Sequence, residues 1–198
     1  MEPIANCATV LRERRHCLLR FLWSRLNTGS LVYSCVAWPS AVVDSHGMPA
    51  RVSITVEQPT SATPVSVYDA LMDLDRWSEF MPGVSAASWE VPGAPDTAVG
   101  GIRRMRIGRG VTRDRILAGT KPHHHAYAAE LPWYQALLLK DYRGDIRVED
   151  RPDGSLIIWT ASCTPRVPGI RNLSQTLRQS YSELAAALAD EAERRTAR

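Results

Sequence analysis

The stretch KPHHHAYAAELP, residues 121–132, sets three consecutive imidazoles in front of a phenol. Imidazole changes charge near neutral pH, so it can ligate a metal or carry protons. Read as a strand, HHHAYAAEL puts His123, His125, Tyr127 and Ala129 on one face and His124, Ala126, Ala128 and Glu130 on the other. The run is therefore not one site with three ligands. A metal reading shrinks to His123 and His125, about 7 Å apart along a strand. Zinc needs a third and usually a fourth ligand, and only Asp114 on the preceding strand offers one, so no metal is expected. Acid/base chemistry needs fewer groups. If LAGTKPHH turns the chain between VTRDRIL and HHAYAAEL, pairing brings Asp114 close to Tyr127, with His125 one step along the same face. A carboxylate, an imidazole and a phenol so placed can move protons. Burial would raise the pKa of the carboxylate and favour an acid role. The competing assignment is structural: Asp114 pairs with a neighbouring arginine and His125 sits at a rim, since a buried polar group needs a partner in any case.

A second concentration of chemistry is IRRMRIGRGVTRDR, with Arg103, Arg104, Arg106, Arg109, Arg113 and Arg115. Alternation gives Met105 and Ile107 the inner face, leaves Arg104 and Arg106 outside and sets Arg103 near the rim. Such a hairpin could meet RNA phosphates or an acidic carrier protein. No aromatic residues interleave with the arginines, as single-stranded nucleic-acid platforms require, so nucleic acid is not the favoured partner.

The elements that must hold these groups emerge from residue 48 onward. RVSITVEQ alternates as a strand. TPVSVYDALMDLDRW then takes helical spacing with Pro64 near its start, and WSEFMPGV adds a short helical turn ended by Pro82 and Gly83. Strand-like runs follow: VSAASWEV, VGGIRRMRIG, VTRDRILAG, HHHAYAAEL, DYRGDIRVED and SLIIWTASC, the pattern of an antiparallel meander. In YRGDIRVE, Tyr142, Gly144, Ile146 and Val148 alternate with Arg143, Asp145, Arg147 and Glu149, so one face is buried and the other wet. From Ile170, apolar residues recur at 173, 177, 181, 184, 188 and 192, one stripe of a long helix.

Residues 1–47 differ. They carry five arginines against Glu2, Glu13 and Asp44, and three of the four cysteines, Cys7, Cys17 and Cys35. No CxxC pair occurs, which fits a reducing cytoplasm better than a disulfide framework. Neither apolar run of this segment reaches the roughly 20 residues of a membrane helix. Residues 1–47 are expected to be a disordered extension or a mis-assigned start, and Met48 would serve as an initiator for a domain over 48–198.

The order of strand, two helices, about six antiparallel strands and a long C-terminal helix is similar to the helix-grip fold of the START-like, or SRPBCC, superfamily. YDALMDLDRWSEFMPGV resembles the signature of its polyketide cyclase/dehydrase-like branch, with Asp75, Trp77 and Pro82 in place. Gly100 and Gly101 match a glycine opening a central strand, HAYAAELP a strand carrying Tyr127, and LIIWTASCTPRVPG a strand with Trp159 before a proline-rich entry to the last helix. The resemblance covers about residues 50–195. The extra residues WYQALLLKD between Pro132 and Tyr142 depart from the pattern and could form a lid.

The resemblance implies an α+β fold in which a curved antiparallel sheet of six to seven strands wraps the long helix around a cavity for a hydrophobic ligand. Tyr127 would face inward, bringing His125 to the cavity and His124 to solvent. The expected lining is Met105, His125, Tyr127, Tyr142, Ile146, Ile157, Trp159, Leu173, Leu177 and Tyr181. The leading function is binding of a lipid or polyketide-like molecule without a cofactor. The alternatives are an aromatase/cyclase or dehydratase using Asp114, His125 and Tyr127, and a ribosome-associating, toxin-like protein. Fold alone does not choose among them.

Overall fold

The structure is a computed structural model, which describes residues 50–168 and 170–197. The expectations for residues 1–47 lie outside the described residues. The described residues begin with β1 (Val52–Thr60), followed by α1 (Pro64–Met72), a 3-10 turn (Leu74–Arg76) and α2 (Trp77–Phe80). Next come β2 (Val84–Val91), β3 (Ile102–Ile107), β4 (Gly110–Thr120) and β5 (His124–Glu130). The single helical turn α3 (Trp133–Ala136) leads to β6 (Leu139–Arg151), β7 (Gly154–Pro165) and α4 (Leu173–Thr196).

Local chemistry explains the boundaries. Thr63 caps α1 by accepting the Ser66 backbone N–H at 3.2 Å, and Pro64 occupies the first turn, where its missing N–H is no loss. Glycine with positive φ marks the β3–β4 turn at Gly108 (φ 55°), a conformation that costs other residues more. The 24 residues of α4 span about 36 Å, enough to cross the whole sheet.

The seven strands form one antiparallel sheet in the order β1-β7-β6-β5-β4-β3-β2. Consecutive strands are hairpin neighbours except β1 and β2, which lie at opposite edges with α1 and α2 between them in sequence. Along β7 burial alternates strictly from Gly154 to Pro165, so Ser155, Ile157, Trp159, Ala161 and Cys163 are buried. From α4, Leu173, Leu177, Tyr181, Ala185 and Leu188 enter the same core, joined by Val67 and Leu71 of α1. Bulges adjust the phase: β2 carries two against β3, one residue is inserted around Leu117 in β4, and one between Lys140 and Arg143 in β6, where Asp141 takes φ 54°. The β6 bulge lets odd-numbered Leu139 and even-numbered Gly144 and Ile146 all be buried.

The hairpin corrects two assignments, one inward and one at the rim. Ile107, placed inside by alternation, is 39% exposed at the β3 end. Arg103, placed at the rim, is 1% exposed.

Candidate functional site

The inner surface of the sheet is not uniformly apolar. Pairing across the β3–β4 hairpin sets Arg103 directly opposite Asp114. Their side chains meet in the core, Arg103 Nη2 donating to Asp114 Oδ2 at 2.8 Å and Nε at 3.3 Å, with both side chains 2% exposed. The guanidinium carbon lies 4.5 Å from the Trp77 ring centroid and 5.0 Å from that of Tyr127, so two aromatic faces sandwich the charge. The β4–β5 register pairs Asp114 with Ala129 and Ile116 with Tyr127, so Arg103 rather than Tyr127 is the direct partner of Asp114.

His125 is fully buried, not at a rim, with its ring centroid 6.3 Å from those of both Tyr68 and Tyr127. Burial, with the Arg103 and His124 charges adding to it, drives its pKa down to about 3, so the imidazole is neutral at pH 7. Burial also raises the Asp114 pKa, against the opposing pull of Arg103. Neither ring nitrogen of His125 has a hydrogen-bond partner in the protein, and the same holds for Arg103 Nη1, Asp114 Oδ1 and Tyr68 Oη.

A chain of phenols adjoins this cluster. Trp159 Nε1 donates to Tyr127 Oη at 3.3 Å, and Tyr127 Oη lies 3.4 Å from Tyr181 Oη on α4. Tyr181 is bonded in turn to Tyr142. Burial raises all three phenol pKa values, that of Tyr127 to about 12, so they remain hydrogen-bond donors at neutral pH. Tyr127 has room for its ring only because residue 144 is glycine: a Cβ there would stand 2.2 Å from the phenol ring. Tyr142 also borders a recess of about 310 Å³, lined with Ala129, Leu131, Ala136, Lys140 and Arg166 among others, where the β5–β6 connection meets the end of β7.

Of the expected lining, Met105, Ile146, Ile157, Trp159, Leu173, Leu177 and Tyr181 are buried with His125 and Tyr127, and Tyr142 is half-buried. Asp114, His125 and Tyr127 stand around one guanidinium. His123 and His125 do not form a pair: His123 lies before β5 with Nδ1 2.9 Å from the Val148 carbonyl, and His124 bonds Asp145 at 2.9 Å. Among the described residues no group of three or more His, Cys, Asp or Glu side chains is placed to hold a metal. Sequence reasoning missed Arg103, Tyr68 and Trp77 as members of the cluster. For Arg103 the signal was present: with the turn at Gly108 and Arg109, pairing puts residues 103 and 114 opposite each other on the face shared by Met105.

Comparison with known folds places the molecule. The di-domain aromatase/cyclase BexL from the BE-7585A biosynthetic pathway superposes with a TM-score of 0.57 at 19% identity, over 72% of this chain and 49% of that one. The chain thus spans about half the length of that di-domain protein. Ara h 8.0201 aligns with a TM-score of 0.59 at 14% identity, over 72% of this chain and 98% of that one. A point mutant of norcoclaurine synthase from Thalictrum, in complex with a transition-state analogue, aligns at 0.57 and 14%, over 74% and 97%. These likenesses share the fold. No sequence among curated proteins matches the chain. The model of the family described as polyketide cyclase / dehydrase and lipid transport matches residues 51–193, the whole of the sheet and nearly all of α4, and the chain belongs to that family.

Proposed function

We propose that the protein binds a hydrophobic, oxygen-bearing small molecule of polyketide type between the sheet and α4, with Arg103 as the polar anchor. The observation that carries this reading is the set of unpartnered polar atoms on Arg103, Asp114, His125 and Tyr68 within an otherwise apolar core. Each buried, unsatisfied polar group costs about 1–3 kcal/mol. Five in one neighbourhood are costly unless a ligand satisfies them. A carbonyl oxygen would accept from Arg103 Nη1, and a hydroxyl could bridge His125 and Tyr68. The apolar walls supply the remaining affinity.

The same cluster supports a second reading, ring closure or dehydration of the bound molecule. Asp114 Oδ1 would take a proton from the carbon next to a carbonyl while Arg103 stabilises the enolate oxygen. The nucleophilic carbon then attacks a second carbonyl of the same chain, and Asp114 returns the proton to the alkoxide so formed; when a dehydration follows, Asp114 removes the second proton from the same carbon, the carbon–oxygen bond breaks, and that proton leaves with the hydroxyl as water. A carboxyl with a raised pKa suits both halves of that cycle better than the acid role alone.

Titration with a hydroxylated anthraquinone, followed by its visible absorbance, tests the binding reading. The wild type should saturate. Arg103→Met should weaken the complex about tenfold or more, as loss of a charge-assisted hydrogen bond requires. Absence of saturable binding by a folded wild type would overturn the reading. Native mass spectrometry of protein purified from its own host should show a retained lipophilic mass. With a linear poly-β-ketone as substrate, Asp114→Asn should abolish turnover and Tyr127→Phe should lower it while binding stays nearly intact, whereas His125→Ala should weaken binding and turnover together. Equal turnover in all three variants would remove the enzyme reading.

A further inference from the structure

At one end of the molecule the residues between β5 and β6 make an apolar ridge beside a cationic rim. Trp133 and Leu137, four residues apart on one side of α3 and its continuation, are 75% and 63% exposed. They are the most exposed large apolar side chains among the described residues. Their neighbours are fixed: Leu138 and Leu139 turn into the core, and Leu138 O accepts the Arg166 backbone N–H at 2.7 Å. Tyr134 packs edge-on against Trp133 at 5.9 Å. Tyr134 and Pro132 also cover Gly110 so closely that a Cβ there would lie 2.6 and 2.5 Å from them, which brings the β3–β4 turn and Arg109 alongside. The ridge is therefore held rigidly outward, although burying its rings in the recess below would remove apolar area from water.

The charges around it are mostly of one sign. Arg109, Lys140 and Arg166 stand on the loops and strand ends of this side, against Glu130 and Asp141. Among the described residues Arg109, Lys140 and Arg166 have no carboxylate within ion-pairing distance. The recess between the ridge and Lys140 and Arg166 has Tyr142 on its wall, the outermost phenol of the chain that begins at Tyr127.

We infer that this end, with Trp133 and Leu137 as the inserted ridge and Arg109, Lys140 and Arg166 as the surrounding cations, docks on an anionic lipid bilayer. An indole and a leucine suit the boundary between headgroups and acyl chains. Long cationic side chains around them can reach the phosphate plane while their stems stay apolar. Docked this way, the recess beside Tyr142 faces the membrane, so a lipophilic molecule passes to or from the interior without crossing water. That delivery role rests on the binding reading above; attachment itself does not.

Flotation of the full-length protein with phosphatidylcholine vesicles, with and without phosphatidylglycerol, tests the docking. The wild type should float with the anionic vesicles, with a blue shift of tryptophan emission, and bind neutral vesicles about tenfold or more weakly, since each cation near an anionic surface contributes roughly a fivefold factor. Trp133→Ser with Leu137→Ser should abolish flotation without moving the melting temperature or the anthraquinone titration. Arg166→Gln should weaken attachment about fivefold. Failure of the wild type to float, or equal flotation by the double variant, overturns the inference. So does saturable binding of an acidic carrier protein that needs the same ridge while vesicles bind nothing. The anthraquinone titration reads the interior separately, so loss of docking and loss of ligand binding are distinguishable.

Discussion

Arg103 donates two hydrogen bonds to Asp114 in the core, so removing one partner strands the other. Arg103→Met should cost about 3–5 kcal/mol in urea unfolding, and adding Asp114→Leu should recover most of it, because the penalty belongs to the unpaired carboxyl. His125 makes stability depend on pH in a defined direction. Between pH 6.5 and about 3 the unfolded imidazole binds a proton that the native one refuses. Its contribution is thus complete above pH 6.5 and is lost on acidification by about 1.4 kcal/mol per unit. Asp114, raised above 3.8, works in the opposite sense, its native carboxyl binding the proton first. Comparing the wild type with His125→Leu isolates the imidazole: the variant should gain on the wild type as pH falls from 6.5 towards 4. A constant gap across that range would mean that His125 is already protonated in the fold. Strand alternation at Tyr127 and Trp159, and the helical stripe through Leu173, Leu177 and Tyr181, made their burial legible in the sequence. Arg103 was not legible by the rule that sends arginine outward, because that rule weighs a residue alone and the stabilising partner lies across a turn.

The strands that carry these groups depend on details that periodicity does not report. The bulges around Leu117 and between Lys140 and Arg143 shift the phase of β4 and β6, and nothing in the residue types announces an extra residue there. Gly144 was visible as the one small residue in an apolar series, yet its reason is a ring on the neighbouring strand. Gly144→Ala should destabilise by about 1–3 kcal/mol through the forced displacement of Tyr127. Combining it with Tyr127→Leu should give less than the sum of the two single effects in thermal melts, since the clash is then gone. At the other end of the core, buried Glu191 of α4 holds Arg76 at 2.8 Å, Arg195 at 2.9 Å and Arg194 at 2.7 Å, and Arg76 precedes the Trp77 that covers Arg103. Glu191→Gln should cost about 1–3 kcal/mol, less than a fully buried pair because the arginines still reach water. Hydrogen exchange should then quicken in Leu74–Phe80 before it does in β6 and β7.

At the scale of the molecule, the order of elements and the long apolar stripe of the last helix were enough to read the architecture, because every strand from β2 to β7 pairs with its neighbour in sequence. What the interior holds depends on side-chain packing, which no period encodes. No described helix is long and apolar enough to cross a membrane. The core of the described domain is drawn from Ile54 to Ala192, so we propose that a chain beginning at Met48 melts at the temperature of the full-length protein; a lower melting point would give residues 1–47 a stabilising role. The exception to neighbour pairing has its own consequence. β1 hydrogen-bonds β7, with Val52 opposite Cys163, so on leaving the ribosome β1 is without its partner until almost the entire described domain has been translated. A nascent chain stalled before β7 should leave β1 open to protease even when the β2–β6 meander has formed, and its apolar face would be free for chaperone capture throughout that interval.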